Sequence, residues 1–215
     1  MSTSIRFVEV PALRHMANLL SHLDCGDQRL DARIELYVQD SGGPHGSPGS
    51  GRNTPPKEND IHSIMVYILN DAFPEYQFNR LSRDNFIQRT DTSMVVNGVN
   101  QTLGCVVERS HPGLLDDLWQ VLRQTIDLGT ANSDIYELVS DALDEARLWS
   151  FYLFWHDKVN SKVLLFSCRS KSKLFHHSSS SESGFDSRSS KWSVSSRDDL
   201  MASGSDCMSD HDLSY

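Results

Sequence analysis

The stretch Arg147–Ser170, RLWSFYLFWHDKVNSKVLLFSCRS, decides how this chain is read. Two aromatic and aliphatic runs flank a short polar centre, HDKVNSK. That pattern predicts a β-hairpin with one strand over about Leu148–Trp155 and its mate over about Lys162–Cys168. In the first strand Trp149, Phe151, Leu153 and Trp155 alternate with Leu148, Tyr152 and Phe154, so both faces are apolar. A strand apolar on both faces is central and covered on both sides. The expected fold is α/β of the α+β type: a mainly antiparallel central sheet with helices packed on both faces.

Working outward, RLDARIELYVQ alternates strictly. Leu30, Ala32, Ile34, Leu36 and Val38 face one way, and Arg29, Asp31, Arg33, Glu35 and Gln39 the other, which predicts a half-buried strand. Before it, PALRHMANLLSHLD places Leu13, Met16, Ala17, Leu20 and Leu23 at helical spacing, with Pro11 in the first turn and Gly26 past the end. Residues 40–60 hold five Gly and four Pro and no large apolar residue, so a flexible linker is expected there. A helix and one strand are too little to fold alone. Residues 1–39 and 61–170 are therefore expected to form one domain with the linker inside it.

Beyond the linker, IHSIMVYILNDAF reads as a strand, and PEYQFNRLSRDNF as a loop or short helix. DTSMVVNGVNQTLGCVVE predicts a helix capped by Asp91 or Thr92, with Val95, Val99, Leu103 and Val106 on one side. A further helix from Pro112 carries Leu115, Leu118, Trp119, Leu122 and Ile126. Residues 171–215 are serine-rich, with 16 Ser from 172 onward, and are expected to be a disordered tail.

The formal charge of -9 lacks the basic footprint of a nucleic-acid binder, and leaves room for a protein partner with a basic surface. Cys25, Cys105, Cys168 and Cys207 show no C-x-x-C spacing, and MSTSIRFVEV has no apolar run of a signal peptide. No apolar run approaches the ~18 residues of a membrane span. Reduced thiols in a cytosolic or nuclear protein are expected.

No P-loop, G-x-S-x-G elbow or H-E-x-x-H is present. The carboxylates Asp116, Asp117, Asp141, Asp144 and Glu145 read as solvated faces ahead of acid–base pairs, and His15 and His22 as surface groups ahead of metal ligands. No cofactor is implied. Phosphoacceptor chemistry is better represented. Ser47 and Thr54 precede prolines in the linker, and Ser179, Ser183, Ser195, Ser196, Ser203 and Ser209 each have an acidic residue three positions on. Each phosphate would add about -1.5 to -2 charge.

The hairpin also resembles the C-terminal signature of the Maf-one family of RNA polymerase III repressors. Trp149, Ser150, Phe151 and Phe154 match its W-S-F-x-x-F strand, and Phe166, Ser167, Cys168, Arg169 and Ser170 its F-F-S-C-R-S ending. PEYQFN is similar to a middle P-D-Y-D-F-S box at Pro74, Tyr76 and Phe78. MVVNGVNQTL is similar to a W-V-V-N-x-V-N helix at Val95, Val96, Asn97, Val99 and Asn100, and RIELYV to an I-E-x-Y strand at Ile34, Glu35 and Tyr37. The hairpin turn departs from the family, with His156, Asp157 and Asn160 where members are more basic.

The resemblance implies a non-enzymatic repressor that binds RNA polymerase III and the Brf subunit of TFIIIB; a monomer is expected, and the charge and hydropathy above speak against direct nucleic-acid or membrane contact. It implies shuttling between nucleus and cytoplasm under kinases and phosphatases. The polar box residues Glu35, Tyr76, Asn97, Asn100 and Arg169 are the candidates for partner binding, and Arg169, Lys171 and Lys173 form a basic cluster suited to import. The alternatives are a phosphorylation-regulated adaptor without a polymerase partner, and a small cytosolic enzyme.

Overall fold

A computed structural model describes residues 4–40, 60–129, 131–139 and 147–173. The expected hairpin is there and is longer than its sequence pattern. Strand β5 runs Arg147–Asp157 and β6 Lys162–Ser172, paired antiparallel with Tyr152 opposite Ser167 and Phe154 opposite Leu165. Asp157 shapes the turn. Its carboxylate accepts from the backbone N–H of Val159 and Asn160, both at 3.0 Å, and from Asn160 Nδ2 at 2.7 Å. Burial pushes the Asp157 carboxyl upward, yet these bonds from Asn160 and Val159, with Lys162 nearby, leave it below the ordinary carboxylate range. Asp157 and Asn160, two of the residues that depart from the family's basic turn, thus hold this turn together.

On its other side β6 pairs with β2 (Gln28–Asp40), with Ile34 opposite Phe166 and Ala32 opposite Cys168. Strands β1 (Ser4–Val8), β3 (Phe86–Arg89) and β4 (Ser133–Leu138) extend the sheet to the order β1-β2-β6-β5-β4-β3, antiparallel throughout. These three have only four to six residues each, too short for their alternation to register in the sequence.

Both faces of the sheet are covered. Helices α1 (Pro11–Ser21), α3 (Thr92–Val107) and α4 (Leu114–Thr125) pack their buried stripes on Leu30, Ala32, Ile34, Leu153, Trp155, Leu164 and Phe166. Asp91 caps α3, its Oδ1 accepting from Ser93 and Met94 N–H. Gly113, with φ of 86°, is the N-cap of α4, which starts at Leu114, two residues after the expected Pro112, and Val107 closes the α3 stripe where Val106 was expected.

The opposite face carries the main correction. Ile61–Ala72, expected as a strand, is helix α2. Its buried residues Ile64, Met65, Ile68, Leu69 and Ala72 recur at helical intervals, and they pack on Tyr37, Tyr152, Phe154, Val163 and Leu165. Half-buried Val66 and Tyr67 fill the gap between those stripes and give the sequence its strand-like continuity. The pull of a wide apolar sheet face outweighs the modest β preference of Ile, Val and Tyr. Two 3-10 turns, Phe78–Arg80 and Arg83–Asn85, then lead into β3.

Candidate functional site

Three of the four boxes converge on the α2 face. The alternation of β2 sends Asp31, Arg33, Glu35 and Tyr37 to that side. The register of β6 brings Arg169 opposite Asp31 and Ser167 opposite Arg33. From the end of α2, Phe73, Tyr76 and Phe78 descend onto the same surface. Asn70 fixes this descent: its Oδ1 accepts from Phe78 N–H at 3.2 Å, and its Nδ2 donates to Asn79 at 3.0 Å. Phe73 and Phe78 are both buried.

Arg169 is the keystone of the cluster. It is 4% exposed, ion-paired with Asp31, and donates to Tyr76 Oη at 3.2 Å. Its guanidinium lies 5.0 Å from the Phe73 ring centroid, and that of Arg33 lies 4.8 Å from the same ring. A buried arginine is costly unless paired, and here a carboxylate, a phenol and two rings share the task. Further along β2 on the same face, the Tyr37 hydroxyl sits 2.9 Å from Glu35 Oε2 and 3.2 Å from Asp71 Oδ2. One phenolic proton serves two carboxylates. Burial first, and then these two carboxylates, push the Tyr37 hydroxyl far above its ordinary range. Burial likewise raises Glu35, against the pull of Tyr37 and Arg33.

Most of the remaining signature residues lie on the other face, while Phe154, Ser167 and Pro74 belong to the α2 side. Asn97 is exposed on α3, whereas Asn100 accepts from Trp119 Nε1 at 2.7 Å and ties α3 to α4. Val95 and Val99 are buried and Val96 half-buried. Trp149 and Phe151 are half-buried with parallel rings, centroids 6.4 Å apart, and Phe151 meets Phe166 edge-on at 5.0 Å. Ser150 is half-buried and Pro74 exposed; Ile34, Phe154, Ser167 and Cys168 are buried. Burial drives the Cys168 thiol well above its ordinary value. Ser170 donates to Gln28 at 2.8 Å.

Of the five candidate contacts, Tyr76 and Arg169 touch, Glu35 lies further along β2 on the same face with Arg33 and Tyr37, and the two asparagines are elsewhere. Arg169 is interior and cannot join Lys171 and Lys173 in a surface basic cluster; Lys173 pairs with Asp24 at 3.3 Å. The phosphoacceptors Ser47, Thr54, Ser179, Ser183, Ser195, Ser196, Ser203 and Ser209 lie outside the described residues. Reading by boxes missed Phe73, Arg33 and Asp71. The signal for Arg33 was present in the opposite charges alternating along β2; nothing in the sequence marks Phe73 as the ring between two arginines.

A repressor of RNA polymerase III transcription from Dictyostelium discoideum is 27% identical over 112 residues, 51% of this chain and 40% of its own length. A repressor of RNA polymerase III transcription, maf1, from Schizosaccharomyces pombe is 26% identical over 106 residues, 48% of this chain and 44% of its own length. The matched region thus spans less than half of either relative. Two crystal forms of citrus MAF1 align with TM-scores of 0.56 and 0.57 at 17% and 18% identity, covering 75% of this chain and 99% of the citrus chain, so the fold is shared. The family model described as Maf1 regulator matches residues 35–167, from within β2 to within β6 and well over half of the chain, and the protein accordingly belongs to the Maf1 family.

Proposed function

We propose that this protein represses RNA polymerase III transcription by occupying the polymerase and the Brf subunit of TFIIIB, which blocks recruitment to promoters. The observation that carries the reading is the match to the Maf1 family from Glu35 to Ser167, together with two relatives named as repressors of this polymerase. The body described above suits an inhibitor by occupancy. Its signature side chains are spent on holding a sheet between helices, and the acidic chain is directed at protein and not at promoter DNA. In this reading phosphorylation of the linker and tail serines and threonines holds the protein inactive. Dephosphorylation under stress releases it, with shuttling between cytoplasm and nucleus.

The test is depletion of the protein followed by measurement of pre-tRNA under starvation, with affinity purification from starved and fed cells. Pre-tRNA should stay high without the protein, and polymerase III subunits and Brf should co-purify with it from starved cells. Unchanged pre-tRNA levels together with no polymerase subunit in the purified material would overturn the proposal. Recovery of polymerase subunits without Brf would restrict it to the polymerase alone.

A further inference from the structure

We infer that the groove between α3 and β5 receives a short extended segment of another protein, apolar at its centre and carrying a lysine or arginine beside that centre. This inference is independent of the polymerase reading, because its partner is defined by chemistry alone.

The groove is open and encloses about 520 Å³, within the range of sites that hold small ligands or a few residues of a peptide. Among the described residues β4 pairs with β5 between Leu153 and Asp157, and the floor from Trp149 to Phe151 lies past that pairing. There the parallel rings of Trp149 and Phe151 form a flat, half-buried aromatic shelf. Above it stands Met94 of α3, 72% exposed and the most exposed large hydrophobic among the described residues. An adaptable thioether over rigid aromatic rings is the composition of recognition surfaces, where aromatic anchors carry much of the binding energy.

The rim sets the charge of the occupant. Arg89 and Glu137 neutralise each other at 2.6 Å. Asp91 is exposed and uses Oδ1 to cap α3, and no cation pairs with it among the described residues. The α3 dipole offsets part of that charge, but the balance at the rim is negative, on a chain whose total is -9. A cationic residue flanking an apolar one is drawn to such a site, and an acidic segment is repelled. The smaller hollow beside α1 and β2 lacks this bias, since Arg14 pairs with Glu9 and Arg33 with Glu35.

The test selects displayed random dodecapeptides on the full chain, then measures fluorescence anisotropy of the enriched peptide against parent and variants. The expected sequence is apolar with flanking Lys or Arg. Met94→Arg, at an exposed position, should weaken binding about tenfold or more. Asp91→Asn keeps a capping side chain and should weaken it about threefold and flatten its salt dependence. Val159→Arg, in the hairpin turn, should change nothing. The inference is overturned by selection without enrichment, by acidic consensus sequences, or by peptides indifferent to both Met94→Arg and Asp91→Asn. Loss of a concentration-dependent dimer on Met94→Arg would also overturn it, by making the occupant a second copy of this chain.

Discussion

The two faces of the sheet are held by different physics. On the side of α1, α3 and α4 the contacts are aliphatic and aromatic, and one side-chain hydrogen bond, Trp119 to Asn100, joins α3 to α4. On the α2 side an apolar patch ends in a charged cluster, where Arg169, Asp31, Tyr76, Phe73 and Arg33 lean on each other. Volume decides the first face. Charge pairing decides the rim of the second, and there removing one partner can cost more than removing both. Family boxes sit on both faces, so a signature residue is no guide by itself to which physics it serves.

The largest expected effect lies on the first face. Phe166→Ala deletes a fully buried ring that Phe151 meets edge-on, and it should cost about 3–5 kcal/mol in urea unfolding. A loss under about 1 kcal/mol would mean that this face collapses around the cavity and is less rigidly packed than described.

Next comes a pair of variants on the second face. Asp31→Asn strands the buried Arg169 guanidinium without its counter-charge, although Asp31 is 40% exposed and water reaches it. Arg169→Met removes the buried charge and leaves Asp31 to the solvent. Asp31→Asn should therefore cost about 2–3 kcal/mol and Arg169→Met about 1 kcal/mol, read by the same unfolding experiment. The reverse order would show that Arg169 acts through packing on Phe73 more than through its charge.

What the sequence disclosed follows the same division. The hairpin and β2 were legible because strands of eleven and thirteen residues give alternation room to repeat. Asp91 and the α4 stripe were legible because capping and 3.6-residue spacing are local rules. Helix α2 was not, since Val66 and Tyr67 blur its stripe and only the sheet beneath selects the helix. The candidate site was legible in its parts but not in its assembly. Glu35, Tyr76 and Arg169 stood out as polar residues in boxes, but Asp31–Arg169 joins positions 138 apart, and no local spacing reports that. Long-range pairing through β2–β6 register creates the site.

A smaller effect tests the hydrogen bond that ties α3 to α4. Trp119→Phe keeps most of the ring and removes the N–H that Asn100 accepts. Asn100 is half-buried, so water can replace the lost donor in part, and about 1 kcal/mol is expected. Asn100→Ala combined with Trp119→Phe should cost less than the sum of the two single changes, because they share one bond. Strict additivity would show that this bond does not couple the two helices.

The smallest effect is a matter of sign. Burial raises Glu35 in the folded state, so folding favours its protonated form. The stability this contributes is complete below the ordinary Glu range and is lost as pH climbs through the raised folded value. Asp157 is lowered in the folded state, so its contribution is present above the ordinary Asp range and is lost as pH falls through the depressed value. Glu35→Gln should accordingly gain on the parent in thermal melts as pH rises from the carboxylate range toward neutrality. Asp157→Asn should close its deficit only on the acid side, where the parent loses its advantage. If both variants tracked the parent with the same slope, the charged rim of the α2 face and the hairpin turn would be equally solvated, and the carboxylates could not be told apart by their surroundings.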